Sequence, residues 1–400
     1  MADRALSGVK VLDLTWYIAG PYCTKLLADH GADVLKVERP DGGDPARRIG
    51  PFLGDDPDPE KSGLFLYLNT SKRGITLNLK TEAGKKLFKE LASEADAVVE
   101  SFSPGVMDRL GLGYETLEKL NPKLVMASIS SYGQTGPYRD YKAGHLIQNA
   151  MGGWMYSIGE PAREPVQVGG WVAHYVAGVS AAAATAGAIY HQGETGEGQY
   201  VDISMMETMM PIHIANMMMY PYLGWSRKRV GNIMVTGYGY IAQCKDGYLG
   251  VNAWTPQHWE ELCRFIGMPE LLEEPKYQTG YGRRQYAREI TERIDPWFHD
   301  KKKEETFHAA QERRIPFVLV PTTEELVNLP QLKAREWFVE AEHPVTGKVA
   351  YPGSPFKMMD TPWGISRRAP LLGEHNWEVY GERLGYSRED LVRLKERGAI

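Results

Sequence analysis

The sequence has little cysteine and no pattern of a secretory signal. Only three cysteines occur in 400 residues, Cys23, Cys244 and Cys263, and none belongs to a C-x-x-C pair. This argues against a disulfide scaffold and structural zinc, and it favours a reducing compartment. The N-terminal segment runs from Asp3 and Arg4 directly into a strand pattern, without the apolar stretch of a signal peptide. We therefore expect a cytoplasmic protein.

The chain also lacks a strong charge of either sign and a strongly hydrophobic run. Its formal net charge is −5, with both signs interspersed, so it has no basic stripe for nucleic acid. One uncharged run, residues 166–190, is long enough to span a bilayer, but its glycines, alanines and His174 make it weakly hydrophobic. We expect a loop that contains His174 and then a buried helix, with neither nucleic acid nor a membrane as partner.

What the sequence does contain is an alternation of strand and helix patterns. The segments "VKVLDL", "ADVLKVE", "GITLNLK", "DAVVESF" and "PKLVMASIS" are typical of buried strands, and helical patterns such as "EAGKKLFKELASEA" lie between them. This order predicts an α/β fold of the Rossmann-like kind, with a parallel sheet and helices on its faces. The composition changes near Pro221, where a smaller α+β domain is expected to begin.

A glycine motif for dinucleotides is missing. The turn after the first strand, "DLTWYIAGPYC", has only Gly20 before Pro21, whereas a pyrophosphate cradle needs G-x-G-x-x-G spacing so that backbone amides can approach the phosphates. The second strand does end in an acidic residue, Glu38. Nicotinamide binding is therefore a minor hypothesis.

Basic residues near the predicted loop starts form the second candidate site. They suit an anion with several phosphates, and the carboxyl edge of a parallel sheet is where ligands usually bind. Each one alone is more often a solvated surface charge. The set comprises Arg39, Arg47, Arg48, Lys72, Arg73, Arg109 and Lys142.

Two histidines are candidates for acid–base chemistry. His145 lies in "KAGHLIQNAMGG" and His174 in "GGWVAHYVAG". Imidazole is the common acid–base group near neutral pH, although a lone histidine is more often packed or hydrogen-bonded without a catalytic role. Their spacing in the sequence does not show that they meet.

Nearly the whole chain resembles the class III CoA-transferase family, which includes formyl-CoA and carnitine CoA-transferases and the α-methylacyl-CoA racemases. The segments that carry the resemblance are "LSGVKVLDLTWYIAGPYCTKLLADHGADVLKVERPDGGDPAR", "LNTSKRGITLNLK", "VVESFSPGVMDRLGLGYETLEKLNPKLVMASISSYGQTGPY", "TGEGQYVDISMMET" and "RRAPLLGEHNWEVYGERLG". The resemblance implies a large Rossmann-like domain formed by residues 1–220 and completed by a return segment, 330–400, with a small domain at 221–329. It also implies an interlocked dimer and coenzyme A or acyl-CoA as substrate, without metal, flavin or nicotinamide.

The resemblance assigns roles to individual residues. In the family, residues matching Arg39, Lys72, Arg109 and Lys142 lie near the nucleotide or phosphates of CoA. Those matching Ser101 and Phe102 line the site. Ser101 replaces the asparagine of formyl-CoA transferases, which is a departure from the family pattern.

His174 is a departure from the family. Members that transfer CoA carry a catalytic aspartate at this position. Its carboxylate attacks the acyl-CoA thioester and then carries CoA as an aspartyl thioester. A histidine has no carbonyl carbon on which to carry CoA, so we expect this chain alone to be inactive as a transferase.

Three hypotheses follow from this replacement. In the first, the chain is the non-catalytic partner of an aspartate-bearing paralogue, in an interlocked dimer or heterotetramer that moves CoA from an acyl-CoA such as succinyl-CoA to a carboxylic acid. The succinyl-CoA:benzylsuccinate CoA-transferase of anaerobic aromatic degradation is such a heteromeric enzyme. In the second, the chain is an acyl-CoA racemase or epimerase that uses His145 and His174 as two bases. In the third, it binds acyl-CoA without turnover.

Overall fold

The chain forms two compact units in a computed structural model that describes residues 4–234 and 237–400. The large unit comprises the chain up to Trp154, Gln167–Met218 and Glu336–Ile400. The small unit comprises Met155–Val166 and Met219–Arg335. The domain bounds expected from the sequence stay a prediction.

Strands and helices alternate through the first half of the chain. The strands are β1 Lys10–Leu14, β2 Asp33–Glu38, β3 Arg73–Thr76, β4 Ala97–Glu100, β5 Val125–Ser130, β6 Tyr200–Ser204, β7 Tyr238–Cys244, β8 Gly247–Ala253, β9 Val318–Val320, β10 Phe338–His343 and β11 Gly347–Pro352. The α-helices are α1 Ala19–Asp29, α2 Gly63–Leu68, α3 Glu82–Ala92, α4 Val106–Arg109, α5 Tyr114–Glu118, α6 His145–Met151, α7 Val172–Thr195, α8 Met205–Met209, α9 Ile214–Leu223, α10 Pro256–Phe265, α11 Gly280–Gln285, α12 Ala287–Ile294, α13 Lys303–Glu312, α14 Thr323–Val327, α15 Pro330–Ala334 and α16 Arg388–Glu396. A π-helix, Trp377–Arg383, precedes the last of them.

The large unit is organised around a parallel sheet. Its strand order is β3-β2-β1-β4-β5-β6, and β1 pairs in parallel with β2 on one side and β4 on the other. This is the doubly wound order, in which the direction of winding changes between β1 and β4. The α/β, Rossmann-like fold predicted from the sequence is confirmed.

Small residues let two helices approach one face of the sheet closely. Helix α7 packs against α1 and β5, and alanines such as Ala177 and Ala181 are completely buried there. A Cβ added at Gly178 would lie 2.7 Å from the carbonyl oxygen of Ala19, which is too close for any side chain. The alanine-rich composition of α7 therefore follows from the narrow space between the helices.

The other face of the sheet is covered by α3 and by the end of the chain. Leu87 and Phe88 of α3 are buried in the same cluster as Val379 and Tyr380 of the π-helix. The Tyr380 hydroxyl donates to the carbonyl of Thr76 (2.8 Å). Residues from both ends of the chain thus share one core.

The small unit has its own core. Strands β7, β8 and β9 form an antiparallel sheet, and helices α10 to α13 surround it. Tyr238, Trp259, Ile290 and Phe298 are buried together there. This α+β unit therefore buries its apolar side chains in a core of its own.

Helix α7 differs from the sequence expectation at its start. It begins at Val172, so that His174 lies in the first helical turn and not in the preceding loop. The mean hydropathy of its most apolar window is 1.4, with 44% of that window buried, and by length and composition alone it could cross a membrane. Core helices also meet those two criteria, and α7 packs on the sheet. Its opposite face exposes Val179 and Tyr190.

Candidate functional site

A cavity of about 470 Å³ opens at the carboxyl ends of the central strands. In a doubly wound sheet, ligands bind at this edge, where the strand order reverses. The wall is mainly apolar, with a few polar groups at one side. Its lining includes Leu14, Val37, Leu77, Leu79, Phe102, Val106 and Leu110, together with Trp16, Arg39, Asn78, Lys80 and Ser101.

Trp16 connects three of the residues predicted to bind CoA. The Arg39 guanidinium lies 4.8 Å from the centroid of its indole ring. Phe102 meets the same ring edge-on, with centroids 5.4 Å apart at 89°, and the Ser101 hydroxyl accepts a hydrogen bond from the Trp16 amide (3.0 Å). Arg39, Ser101 and Phe102 thus come together at one aromatic platform. Sequence reasoning gave Trp16 little weight, although its position directly after β1 was the signal.

The backbone after β1 is held in a strained conformation. Tyr17 lines the cavity and has a φ of 66°, which costs a non-glycine residue about 1–2 kcal/mol. Its amide donates to Oδ1 of Asp44 (3.1 Å), and Asp44 is ion-paired with Lys36 (2.9 Å). A buried ion pair therefore fixes the loop that carries Trp16.

Glu100 ends β4, next to Ser101 and Phe102 of the cavity wall. Its Oε2 accepts from the Phe102 amide (2.7 Å). Burial, with a smaller contribution from the nearby Asp108 and Asp202, raises the pKa of Glu100 to about 7, although the Ser128 hydroxyl and the hydrogen bond from the Phe102 amide oppose this shift. This carboxyl therefore positions Phe102 and is partly protonated at neutral pH.

Lys72 lies in the interior of the large unit and does not line the cavity. Its side chain is completely buried. The ammonium donates to Oδ2 of Asp13 (3.0 Å), Oγ1 of Thr24 (2.8 Å), Oδ1 of Asn69 (2.9 Å) and the carbonyl of Pro21 (2.9 Å). All of its donors are used, so the structure does not bring Lys72 to the cavity with the other predicted residues.

The charges around Lys72 are tightly balanced. Burial lowers the pKa of Lys72 to about 8, although Asp13 opposes this shift. Burial would raise the pKa of Asp13, but Lys72 and Lys36 outweigh it and hold that pKa at about 2. Asp13 and Lys72 therefore form an ion pair beneath the start of α1.

The other basic residues divide into two groups. Arg47 is buried against Glu38 (2.7 Å), and Arg73 pairs with Asp33 and with Glu378, each at 2.6 Å. These two arginines are structural. Arg48, Arg109 and Lys142 do not line the 470 Å³ cavity.

The two candidate histidines meet. His145 is the first residue of α6 and His174 the third of α7. Their ring centroids lie 5.8 Å apart with the planes 26° from parallel, and Trp171 meets each ring at a steep angle, with centroids 5.4 and 5.7 Å away. Nε2 of His145 lies 3.3 Å from the carbonyl of Val168.

His174 is neutral at physiological pH. Burial lowers the pKa of its imidazole to about 4, and the neighbouring His145 contributes to the shift. The site therefore holds an uncharged imidazole ring. Such a ring can accept or donate hydrogen bonds but supplies no carbonyl carbon.

The fold and the cavity define a Rossmann-like protein with a ligand cavity at the switch point of its sheet. Residues 6–376 match CoA-transferase family III. The chain belongs to this family.

Individual relatives match over almost the full chain. It is 36% identical over 416 residues to the formyl-CoA:oxalate CoA-transferase of Streptomyces avermitilis, covering 99% of this chain and 100% of that protein. It is 36% identical over 384 residues to the succinyl-CoA:mesaconate CoA-transferase of Haloarcula marismortui, covering 94% and 96%. A CAIB/BAIF family protein from Brucella suis superposes with a TM-score of 0.84 at 29% identity, covering 95% and 99%.

The family resemblance inferred from the sequence is thus confirmed. Class III CoA-transferase activity is supported, and acyl-CoA and carboxylic acid substrates fit the family. The described residues contain no group of His, Cys, Asp or Glu that could hold a metal ion. The roles of individual residues, the absence of a cofactor and the oligomeric state stay predictions.

Proposed function

We propose that this chain is the aspartate-lacking subunit of a heteromeric class III CoA-transferase. In this proposal it binds CoA through the cavity at the carboxyl edge of its sheet and completes an interlocked assembly with an aspartate-bearing paralogue. The observation that carries the proposal is the neutral His174, stacked on His145. By the resemblance of the sequence to the family, His174 stands in place of the nucleophilic aspartate.

The chemistry explains why a partner is required. In the transfer reaction, a carboxylate oxygen attacks the thioester carbonyl, which forms a mixed anhydride and releases the CoA thiolate. The thiolate then attacks the carboxyl carbon of the nucleophile, frees the acyl group as its acid and leaves CoA bound as a thioester. The acceptor acid reverses these steps. His174 can form an acyl-imidazole, but it cannot hold the thiol in this way.

The CoA cavity supports a binding role for the chain. Its apolar wall and the Trp16 and Phe102 rings suit an adenine base. Arg39 lies over Trp16 at the same wall and can reach a phosphate. Arg109 and Lys142 are the further phosphate ligands in this proposal.

Exposed apolar side chains support a partner chain. Tyr190 is 72% exposed and Val179 49% exposed on α7, and α6 exposes Leu146 and Ile147. Exposed apolar side chains on a helix face are typical of protein interfaces. The paralogous subunit is the proposed occupant.

Succinyl-CoA is the proposed donor, and an aromatic carboxylic acid of the benzylsuccinate type the proposed acceptor. Support for the donor comes from relatives named as succinyl-CoA transferases, from Haloarcula marismortui and Chloroflexus aurantiacus. Support for an aromatic acceptor comes from Trp171, whose ring lies against both histidines.

The test is CoA transfer from succinyl-CoA to aryl and alkyl acids by the full chain alone and after coexpression with an aspartate-bearing paralogue. We expect turnover only in the coexpressed complex. A complex whose paralogue carries alanine in place of its aspartate is the matched control and should be inactive. Turnover by the pure chain would overturn the proposal.

The proximity of the histidines favours a second candidate function, epimerisation of an acyl-CoA. Two bases on opposite sides of an α-carbon could exchange its proton. The stacked rings argue against it, because nitrogen lone pairs lie in the ring planes and stacked rings turn their faces to each other. Deuterium uptake at the α-carbon by the isolated chain in heavy water would favour epimerisation. CoA binding without exchange, and without transfer in any complex, would favour a binding protein.

A further inference from the structure

A second cavity adjoins the proposed CoA cavity. Its volume is about 300 Å³, and Ser103 and Val106 line both cavities. Its lining is more polar and includes Arg139 together with the carboxyl groups of Glu100, Asp108 and Glu115. The turn at residues 103–106 therefore forms a shared rim between an apolar cavity and a polar one.

Two arginines converge on this rim. A Cβ added at Gly105 would lie 3.1 Å from Nη1 of Arg109 and 3.3 Å from Nη2 of Arg139. Gly105 has a φ of 74°, so the position favours glycine, and the missing side chain leaves the space between the guanidiniums open. Arg139 comes from the loop after β5, far from Arg109 in the sequence.

Neither guanidinium is neutralised by a neighbouring carboxylate. Across residues 4–234 and 237–400, neither Arg109 nor Arg139 has an ion-pair partner within 4.0 Å. By contrast, the buried Arg47 and the partly buried Arg73 of the same unit are each paired with two carboxylates. Both side chains are exposed to solvent, so water screens their mutual repulsion, but the two unpaired guanidiniums can bind one anion between them.

A phosphate group fits this arrangement best. It carries up to two negative charges, and its oxygens accept from more than one guanidinium at a time. A ligand whose base lies against Trp16 and Phe102 would reach the rim through Ser103 and Val106, which both cavities share.

We propose that Arg139 and Arg109 together bind one phosphate group of CoA over Gly105, where the two cavities meet. This inference rests on the proposed CoA site and adds Arg139 to it as a binding residue. The phosphate is either the 3′-phosphate or part of the diphosphate, since both present the same chemistry.

The experiment compares CoA affinity of the full chain and of three variants, Arg139→Gln, Arg109→Gln and the double variant, by titration calorimetry. We expect each single variant to bind about 10-fold more weakly. Because both side chains serve one phosphate, the double variant should lose less than the product of the single losses. Arg397→Gln, which changes an exposed arginine of the last helix region, is the matched control and should bind as the wild type does.

Two ligands identify the phosphate. If the loss in Arg139→Gln is seen with CoA and disappears with dephospho-CoA, the 3′-phosphate is bound; if it persists with dephospho-CoA, the diphosphate is bound. Unchanged CoA affinity of Arg139→Gln, or losses that simply multiply in the double variant, would overturn the inference. Failure of the wild-type chain to bind CoA at all would overturn the proposed CoA site itself, and is thereby distinguished from failure of Arg139 alone.

Discussion

The imidazole rings of His145 and His174 stack 5.8 Å apart, although the two residues belong to different helices. Trp171 packs its ring against both of them. This contact keeps His174 neutral, because burial and the neighbouring imidazole both disfavour a positive charge. His145 and His174 thus form a stacked pair in which the His174 ring is uncharged.

Restoring a carboxylate at this position tests whether the remainder of the site is competent. We expect His174→Asp, incubated with succinyl-CoA, to form a covalent CoA thioester that the wild-type chain cannot form. Mass spectrometry of the intact protein measures the adduct. His174→Asn has nearly the same shape without the nucleophilic oxygen and should form none. If no adduct forms on a folded His174→Asp variant, the CoA site of this chain cannot present a thioester to position 174.

The neutral state of His174 also predicts how stability depends on pH. Its pKa is 6.5 when unperturbed and about 4 in the folded protein. Between these values the unfolded chain binds the extra proton and the native chain does not, so stability is lost as the pH falls from 6.5 towards 4. The contribution of this one group is up to about 3 kcal/mol.

Urea unfolding at pH 7.5 and pH 5 measures this dependence. We expect the wild-type free energy of unfolding to fall more between the two pH values than that of His174→Gln, whose side chain does not titrate. His343, whose pKa burial also lowers to about 4, is present in both proteins, so its contribution cancels. Equal losses in the two proteins would contradict the depressed pKa.

We expect Lys72 to stabilise the fold and not to contact the ligand directly. Lys72→Met leaves the Asp13 carboxylate buried without its partner, which should cost about 3–5 kcal/mol. Adding Asp13→Asn should recover part of that loss, because the uncompensated charge is then gone. Denaturant unfolding measures both. A Lys72→Met variant of normal stability that binds CoA poorly would instead place this lysine at the ligand.

The contrast between Lys72 and Arg39 shows what the sequence could predict. The alternation of apolar strands and helices was sufficient for the parallel sheet, and the edge rule for such sheets then indicated where Arg39 would lie. Ser101 and Phe102 were predicted only through the family resemblance. Arg39 comes directly after β2, at the carboxyl edge, whereas Lys72 comes directly before β3. Only the fold shows that Lys72 points into the interior, where four acceptors surround it, because burial depends on contacts with residues distant in the sequence. The stacking of His145 on His174 could not be predicted from the sequence for the same reason.

Trp16 is expected to be central to CoA affinity, because it joins the side chains that line the cavity. Trp16→Ala removes the ring under Arg39 and the edge contact with Phe102, and we expect CoA to bind about 10-fold more weakly. Trp16→Phe keeps an aromatic face and should lose less. Calorimetry with CoA and with pantetheine shows which part of the ligand contacts the ring. A loss of affinity confined to CoA places the nucleotide on this ring. An equal loss with pantetheine would contradict that placement.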